Sequence, residues 1–300
     1  MLHVSPRPLL AALLLACACG GTPTPPRTVF GGARKATLQV PPNYDASKSY
    51  PLLVVLHGYG ANGALETGYL GATPSPGNAG LVGAGVFVIA PNGTLDHGPV
   101  DGVPSLFWNA TDGCCNFESQ AVDDVAYLKG LISDIRADYS IDARRVYLWG
   151  HSNGAFMAHR MACEDSGELA AIIGLAGATW LDASKCTPSG KVSILDIHGD
   201  ADLTIAYGGG ANVNAYPGEA VTMARWQVND GCAAGLVTDP TPLDLEKNLP
   251  GAETVVSRFA GCPAGIGVEL WTIQGGGHIP VWNPTFTQTA WAWLLAHPKP

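Results

Sequence analysis

The chain has 300 residues and a formal net charge of −9 at pH 7, with 47% hydrophobic and 14% charged residues. This composition suits one large folded domain or two small ones and excludes a disordered chain. The sequence contains no run of Lys or Arg, so neither nucleic acids nor anionic membrane surfaces are expected as partners.

The first residues have the pattern of an export signal. Arg7 precedes an apolar stretch, Leu9–Ala16, that is too short to span a bilayer. Two endings are open: Leu14–Cys17 resembles a lipobox, which would place a lipid on Cys17, whereas Ala16–Ala18 matches an A-x-A cleavage site. We therefore expect an extracellular or outer-surface protein that touches a membrane only through such a lipid anchor.

Short apolar runs then alternate with longer segments of helical periodicity. The predicted strands are Thr37–Val40, Leu52–Leu56, Val86–Ala90, Val146–Trp149, Ala171–Leu175, Val192–Ile197 and Val268–Ile273, and the predicted helices are Ser119–Tyr139, Gly154–Cys163, Gly218–Asn229 and Thr285–Ala296. Most strands are continuously apolar, as in a parallel sheet covered on both faces. The alternation predicts an α/β protein with a doubly wound, mostly parallel sheet that binds ligands at the carboxyl ends of its strands.

The predicted domain organisation is a signal or lipobox segment over 1–17, a linker and lead-in over 18–35, and one domain over 36–300.

Near the start of the first predicted helix, Glu118, Asp123 and Asp124 place negative charge where the helix dipole favours it. Calcium binding is the alternative interpretation of Asp123 and Asp124.

Six of the eight cysteines lie in the body of the chain, which favours disulfides in an oxidising compartment. Their spacing along the sequence favours Cys163–Cys186 and Cys232–Cys262, whereas Cys114 and Cys115 either bond to each other or pair elsewhere. No CxxC or HxxxH spacing supports a metal site, so no metal or other cofactor is predicted.

The stretch VYLWGHSNG contains G-x-S-x-G between a predicted strand and a predicted helix. This context is typical of a nucleophile elbow, in which small neighbours allow a strained turn that exposes the serine, here Ser152. A serine hydroxyl is a weak nucleophile at neutral pH and needs a base that is oriented by an acid.

The base is predicted to be His278, which lies in the IQGGGHIP loop after the last predicted strand. In α/β-hydrolases the order along the chain is Ser, acid, His, so the acid should follow the strand Val192–Ile197. Asp202 is the preferred acid and Asp200 the alternative, whereas His198 in the same motif is interpreted as structural.

An oxyanion hole needs two backbone donors. The N–H of Asn153, directly after the nucleophile, is one candidate. The N–H of Tyr59, in the glycine-rich LHGYG loop, is the other. Trp108 and Trp282 are candidate substrate contacts near the predicted mouth, and packing beneath the loop is the alternative role for Trp108.

The motifs LHGYG, FWNATDGCCNF, VDDVAYL, RRVYLWGHSNGAFMAHRMACE, DIHGDADLTI and IQGGGHIP resemble those of polyhydroxybutyrate depolymerases and feruloyl or acetylxylan esterases. The resemblance extends from about residue 36 to the C-terminus and implies a single-domain α/β-hydrolase fold. It assigns the nucleophile, acid and base to Ser152, Asp202 and His278. It also makes the disulfides Cys163–Cys186 and Cys232–Cys262 plausible.

The resulting functional hypothesis is a serine esterase, expected to be monomeric, that hydrolyses neutral polyhydroxyalkanoate-type polyesters through an acyl-enzyme. The alternative substrate is a feruloyl or acetyl ester of plant polysaccharide. Two hypotheses of another class are a serine peptidase on the same scaffold and a binding protein without catalysis.

Overall fold

The structure, a computed structural model, describes residues 1, 3 and 26–300. The predicted lipobox and Cys17 lie outside the described residues. No helix in the described part of the chain is long and apolar enough to cross a membrane.

The described residues form strands and helices in the following order. The strands are β1 (Val29–Phe30), β2 (Ala36–Gln39), β3 (Tyr50–Leu56), β4 (Phe87–Ile89), β5 (Thr94–Leu95), β6 (Leu106–Phe107), β7 (Ile141–His151), β8 (Ala171–Leu175), β9 (Ser193–Gly199), β10 (Gly209–Ala211), β11 (Ala215–Pro217), β12 (Leu236–Thr238), β13 (Thr254–Phe259) and β14 (Val268–Ile273). The helices are α1 (Gly63–Tyr69), α2 (Gly80–Gly83), α3 (Asp124–Asp138), α4 (Asn153–Glu164), α5 (Glu219–Asp230) and α6 (Phe286–Ala296), with a short 3-10 helix at Ala183–Lys185.

Ten of these strands form one sheet in the order β1-β2-β4-β3-β7-β8-β9-β14-β13-β12. The strands from β4 to β14 in this order pair in parallel, and those on either side pair antiparallel. The predicted mostly parallel sheet is thus confirmed. Its parallel centre brings the carboxyl ends of β3, β7, β9 and β14 to one edge, where open α/β sheets bind ligands.

Helices cover both faces of the sheet, and the side chains of a central strand alternate between them. In β3, Leu52, Val54 and Leu56 pack on the face covered by α3, α4 and α5. Leu53 and Val55 pack on the opposite face with α2 and α6. All five are fully buried, which is why β3 is continuously apolar in sequence.

The edge strands β1, β12 and β13 lie outside the predicted strands, because β1 has only two residues and the other two are not continuously apolar. Strand β12 is exposed along its whole length, and β13 is only partly buried. Strand β1 falls inside the predicted lead-in over 18–35, yet Val29 and Phe30 already pair with Thr37 and Ala36 of β2.

Helix α3 begins at Asp124, five residues later than predicted, because Asp123 caps it. The Asp123 carboxylate accepts a hydrogen bond from the N–H of Ala126. Asp124 is fully buried, and its carboxylate lies 2.5 Å from the guanidinium of Arg34. Asp124 therefore ties the chain before β2 to α3, in addition to placing negative charge at the helix start.

Three disulfides link the six cysteines of the body. Cys163–Cys186 joins the end of α4 to the segment after the 3-10 helix, and Cys232–Cys262 joins the segment after α5 to the segment after β13. Cys114 and Cys115 bond to each other, which resolves the pairing that the sequence leaves open.

Candidate active site

The turn between β7 and α4 holds Ser152 with φ 54° and ψ −121°, in the strained region that few non-glycine residues adopt. A Cβ at Gly150 would lie 2.1 Å from the carbonyl oxygen of Gly154, and one at Gly154 would lie 2.0 Å from that of Leu56. Both glycines are therefore required by close backbone approach. The turn carries Ser152 to the carboxyl edge of the sheet at the start of α4.

Ser152, His278 and Asp202 form one hydrogen-bonded chain. The Ser152 Oγ lies 2.9 Å from the His278 Nε2, and the His278 Nδ1 lies 2.7 Å from the Asp202 Oδ2. The second carboxylate oxygen, Oδ1, accepts hydrogen bonds from the N–H groups of Thr204 and Ile205 at 2.7 and 2.9 Å. This arrangement lets the imidazole take a proton from the serine while the carboxylate holds its Nδ1–H.

The carboxylate of Asp202 is buried and stays ionised. Burial by itself would raise its pKa, but hydrogen bonds from His198 and His278 outweigh burial and hold the pKa of Asp202 well below its usual range. The alternative acid, Asp200, instead accepts a hydrogen bond from the N–H of Gly275 at 2.6 Å. The geometry therefore favours Asp202 over Asp200 as the partner of His278.

A buried imidazole supports the candidate oxyanion loop after β3. The His57 Nε2 accepts a hydrogen bond from the N–H of Gly93 at 3.0 Å, so its Nδ1 carries the proton and donates to the Gly58 carbonyl at 2.7 Å. Burial lowers the pKa of His57, which favours this neutral form. The Gly58 carbonyl belongs to the same peptide unit as the N–H of Tyr59, so His57 fixes the direction of that candidate donor.

Asn153 links the turn that holds Ser152 to the segment that contains Trp108 and Cys114. As the first residue of α4, its N–H has no partner within the helix. Its side chain accepts from the N–H of Trp108 at 2.7 Å and donates to the carbonyl oxygens of Trp108 and Cys114. The roles of the Tyr59 and Asn153 amides in an oxyanion hole stay predictions.

The two predicted tryptophan contacts do not line the cavity at Ser152. Trp108 is fully buried, and its indole N–H donates to the His57 carbonyl, so it packs beneath the loop. Trp282 stacks on Phe286 with ring centroids 3.5 Å apart. The fully buried Trp108 thus has its alternative role of packing beneath the loop, whereas a substrate contact for the half-buried Trp282 stays a prediction.

A cavity of about 380 Å³ opens at Ser152. It is lined by Gly58, Tyr59, Ala61, Cys115, Phe117, His151, Ser152, Thr204, Ile205, Asn212, His278 and Ile279. None of these lining residues is a Lys or Arg, so the cavity suits a neutral acyl group. Two surface grooves, of about 550 and 580 Å³, contain none of these residues.

Aromatic rings form one wall of this cavity. Tyr59 and Phe117 meet edge to face with centroids 5.2 Å apart. The Tyr59 hydroxyl donates to the Asp96 carboxylate at 2.5 Å, and burial together with this bond raises the pKa of Tyr59 to about 12. Tyr59 is thus a neutral, fixed ring. Phe117 reaches the cavity from the loop that follows the Cys114–Cys115 disulfide. In such a loop, no regular spacing in the sequence marks it as a lining residue.

His151 supports the loop that carries His278. The His151 Nε2 donates to the backbone carbonyl of His278 at 3.1 Å, and its Nδ1 lies 3.6 Å from the carboxylate of Glu66. Glu66 is buried in α1, a helix that lies outside the predicted elements.

Among the described residues, no group of three or more His, Cys, Asp or Glu side chains could hold a metal ion.

Replacing Gly58 by Ala should lower kcat for a soluble ester by about 10- to 100-fold with little change in KM. An added Cβ would lie 3.3 Å from the Ser152 Cβ, so either the oxyanion loop or the nucleophile must shift. The matched control is Gly68→Ala in α1, where an added Cβ meets nothing within 4 Å. Steady-state kinetics of both variants checks this, and an unchanged kcat in Gly58→Ala would contradict it.

Comparison with known proteins finds one matching family model and several similar esterases. Residues 111–229 match the family described as Phospholipase/Carboxylesterase. The chain is 25% identical over 256 residues to feruloyl esterase B of Piromyces equi, across 82% of this chain and 42% of that protein. It is 26% identical over 285 residues to probable feruloyl esterase C of Aspergillus flavus, across 93% of this chain and 90% of that protein.

The same fold occurs in a solved esterase. The acetyl xylan esterase from Aspergillus awamori superposes with a TM-score of 0.58 at 17% identity, over 87% of this chain and 94% of that one. The chain has the α/β-hydrolase fold, and its residues 111–229 are similar to the phospholipase/carboxylesterase family. Its class is carboxylic ester hydrolase, and the resemblance predicted from the motifs is confirmed at that level.

Proposed function

We propose that the protein is a serine esterase that removes feruloyl or acetyl groups from plant polysaccharide. The observation that carries this proposal is the hydrogen-bonded chain of Ser152, His278 and Asp202, which opens onto an uncharged, partly aromatic cavity. The names of the relatives, feruloyl esterases and an acetyl xylan esterase, support this substrate class over a polyester.

The proposed reaction is a two-step acyl transfer. The His278 Nε2 removes the proton of Ser152 as its Oγ attacks the ester carbonyl, and the oxyanion is held by the N–H groups of Tyr59 and Asn153. His278 then gives the proton to the departing alcohol, which leaves an acyl group on Ser152. Water attacks this acyl group by the same route and releases the acid. Asp202 holds the His278 ring in the required tautomer throughout.

The lining of the cavity favours an aromatic acyl group. Phe117 and Tyr59 offer flat apolar surface for a phenylpropenoyl ring. Thr204 and Asn212 lie in the same lining and offer polar side chains for the hydroxyl groups of a sugar or of the acyl ring. The absence of Lys and Arg among these lining residues favours a neutral ester.

A polyester of the polyhydroxyalkanoate type is the second candidate substrate, because apolar side chains are exposed beside the cavity. Leu203 is 98% exposed, Ile279 65% and Val281 47%. Ile279 also lines the cavity, and Leu203 directly precedes the lining residue Thr204. Such a rim would suit the surface of a water-insoluble polymer.

The experiment that decides between them compares hydrolysis rates of the full chain on methyl ferulate, acetylated xylan, a soluble hydroxybutyrate oligomer and a hydroxybutyrate polymer film. Ser152→Ala serves as the blank for every substrate. We expect ferulate or acetate release to exceed oligomer cleavage by at least about tenfold, a gap that about 1.4 kcal/mol of differential transition-state binding produces. Faster cleavage of the oligomer or film would replace the proposal by the second candidate.

The proposed place of action is outside the cell. Three disulfides join the body of the chain, and disulfides persist in oxidising compartments. The lipid on Cys17 and the monomeric state remain predictions.

A further inference from the structure

A second imidazole–carboxylate pair is buried directly behind the proposed acid. The His198 Nε2 lies 3.2 Å from the Asp202 Oδ2 and 2.9 Å from the carbonyl oxygen of Ile205. On the other side of the ring, the His198 Nδ1 lies 2.5 Å from the Glu219 Oε1. His198 is the residue before the last one of β9, Glu219 begins α5, and both side chains are buried.

These contacts determine where the protons of His198 are. Its Nε2 faces two acceptors, the Asp202 carboxylate and the Ile205 carbonyl, so this nitrogen must carry hydrogen. Its Nδ1 faces a carboxylate oxygen of Glu219, so a further proton is shared between the ring and Glu219. Burial opposes the charged ring, but the hydrogen bonds to Asp202 and Glu219 outweigh burial and raise the pKa of His198 to about 10.

Other titratable groups surround this pair on every side. Burial and the nearby Asp196 of β9 raise the pKa of Glu219 to about 7. In α4, the His159 Nε2 lies 3.1 Å from the Asp196 Oδ1, while its Nδ1 accepts a hydrogen bond from the Trp226 indole. The ring of Tyr207 meets that of His198 edge to face, and His278 contacts the same Asp202 oxygen, Oδ2, as His198.

We propose that His198, kept protonated by Glu219, is a positioning residue that orients Asp202 and extends ester hydrolysis to lower pH. The inference rests on the proposed roles of Ser152, Asp202 and His278. A fixed positive charge beside Asp202 weakens the stabilisation that this carboxylate gives to protonated His278. The acid limb of the activity profile should then lie at a lower pH than it would with Asp202 alone.

The test is the dependence of kcat/KM on pH for a soluble p-nitrophenyl ester, measured on the unmodified chain and on His198→Gln. Glutamine keeps an N–H donor but carries no charge. We expect the acid limb of the profile to move upward by about half to one pH unit. A merely structural role would lower the rate equally at every pH, and an acid limb that stays in place or moves downward overturns the proposal.

Glu219→Gln tests the second half of the proposal by NMR of the histidine side chains. Loss of the carboxylate should lower the pKa of His198 by about one unit or more. The matched control is Asp230→Asn on the same helix, another buried carboxylate, which accepts a hydrogen bond from the N–H of Val192. This control should leave both the His198 signal and the acid limb unchanged, and an equal effect of both variants contradicts the assignment.

Two further measurements keep the proposal testable if a variant fails to fold. In the unmodified chain, the His198 signal should remain that of a protonated ring at pH 7.5, and a neutral ring there overturns the proposal. Ser152→Ala separates the two levels of inference. If it retains ester turnover, the proposed function fails, whereas an unshifted acid limb with an inactive Ser152→Ala removes only the role of His198.

Discussion

Replacing Ser152 by Ala is expected to lower kcat for any ester substrate by about 10⁴- to 10⁶-fold, the cost of losing a nucleophile that acts as one unit with its base. The hydroxyl that lies 2.9 Å from the His278 Nε2 is lost, so no acyl-enzyme can form. Alanine is smaller and cannot clash at this turn, so the fold should persist. The measurement is kcat on a soluble p-nitrophenyl ester, together with a circular dichroism spectrum.

A nearby serine provides the matched control for this variant. Ser105 is the closest heavy-atom neighbour of a Cβ placed at Gly60 in the oxyanion loop, and its hydroxyl donates to the Val103 carbonyl. Because the Ser105 hydroxyl takes no part in the hydrogen-bonded chain of Ser152, His278 and Asp202, Ser105→Ala should retain kcat within about threefold. Turnover that survives in Ser152→Ala would remove the serine mechanism.

An amide analogue of the ester tests the peptidase hypothesis, because the esterase proposal expects little amide cleavage.

The nucleophile turn could be predicted from sequence because its signal is local. Gly150 and Gly154 flank Ser152 at a spacing that the turn itself requires, since either added Cβ would lie about 2 Å from a backbone oxygen. The hydrophobic pattern also predicts the strand before the turn and the helix after it. His278 and Asp202 are distant from Ser152 in sequence, so their prediction needs the order of elements in the fold.

The residues that line the cavity could not be predicted from sequence because burial is decided by tertiary packing. Trp108 precedes the disulfide loop and Trp282 follows His278, so both are near the site along the chain. Their rings pack against other parts of the fold, whereas Phe117 reaches the cavity. No periodicity in a loop distinguishes a ring that lines a cavity from one that packs beneath it.

The ionisable side chains that support the site could not be predicted either, because their burial is also decided by tertiary packing. Glu66 and Glu219 are ordinary helix residues in sequence, and glutamate is usually exposed on helices. Only the assembled sheet places Glu219 against the end of β9 and Glu66 beneath His151. For His198, the sequence indicates a structural role but does not identify Asp202 as the residue that it contacts.

Replacing Asp202 by Asn should lower kcat by about 10⁴-fold, since an amide can donate to His278 and stabilise the wrong tautomer of its ring. The Asp202 Oδ2 lies 2.7 Å from the His278 Nδ1, so the substitution acts directly on that proton. Asp200→Asn is the matched control two residues earlier. Asp200 accepts only from the N–H of Gly275, a bond that an amide oxygen retains, and kcat should stay within about threefold. Steady-state kinetics of both variants decides the assignment, and a larger loss in Asp200→Asn would move the acid to Asp200.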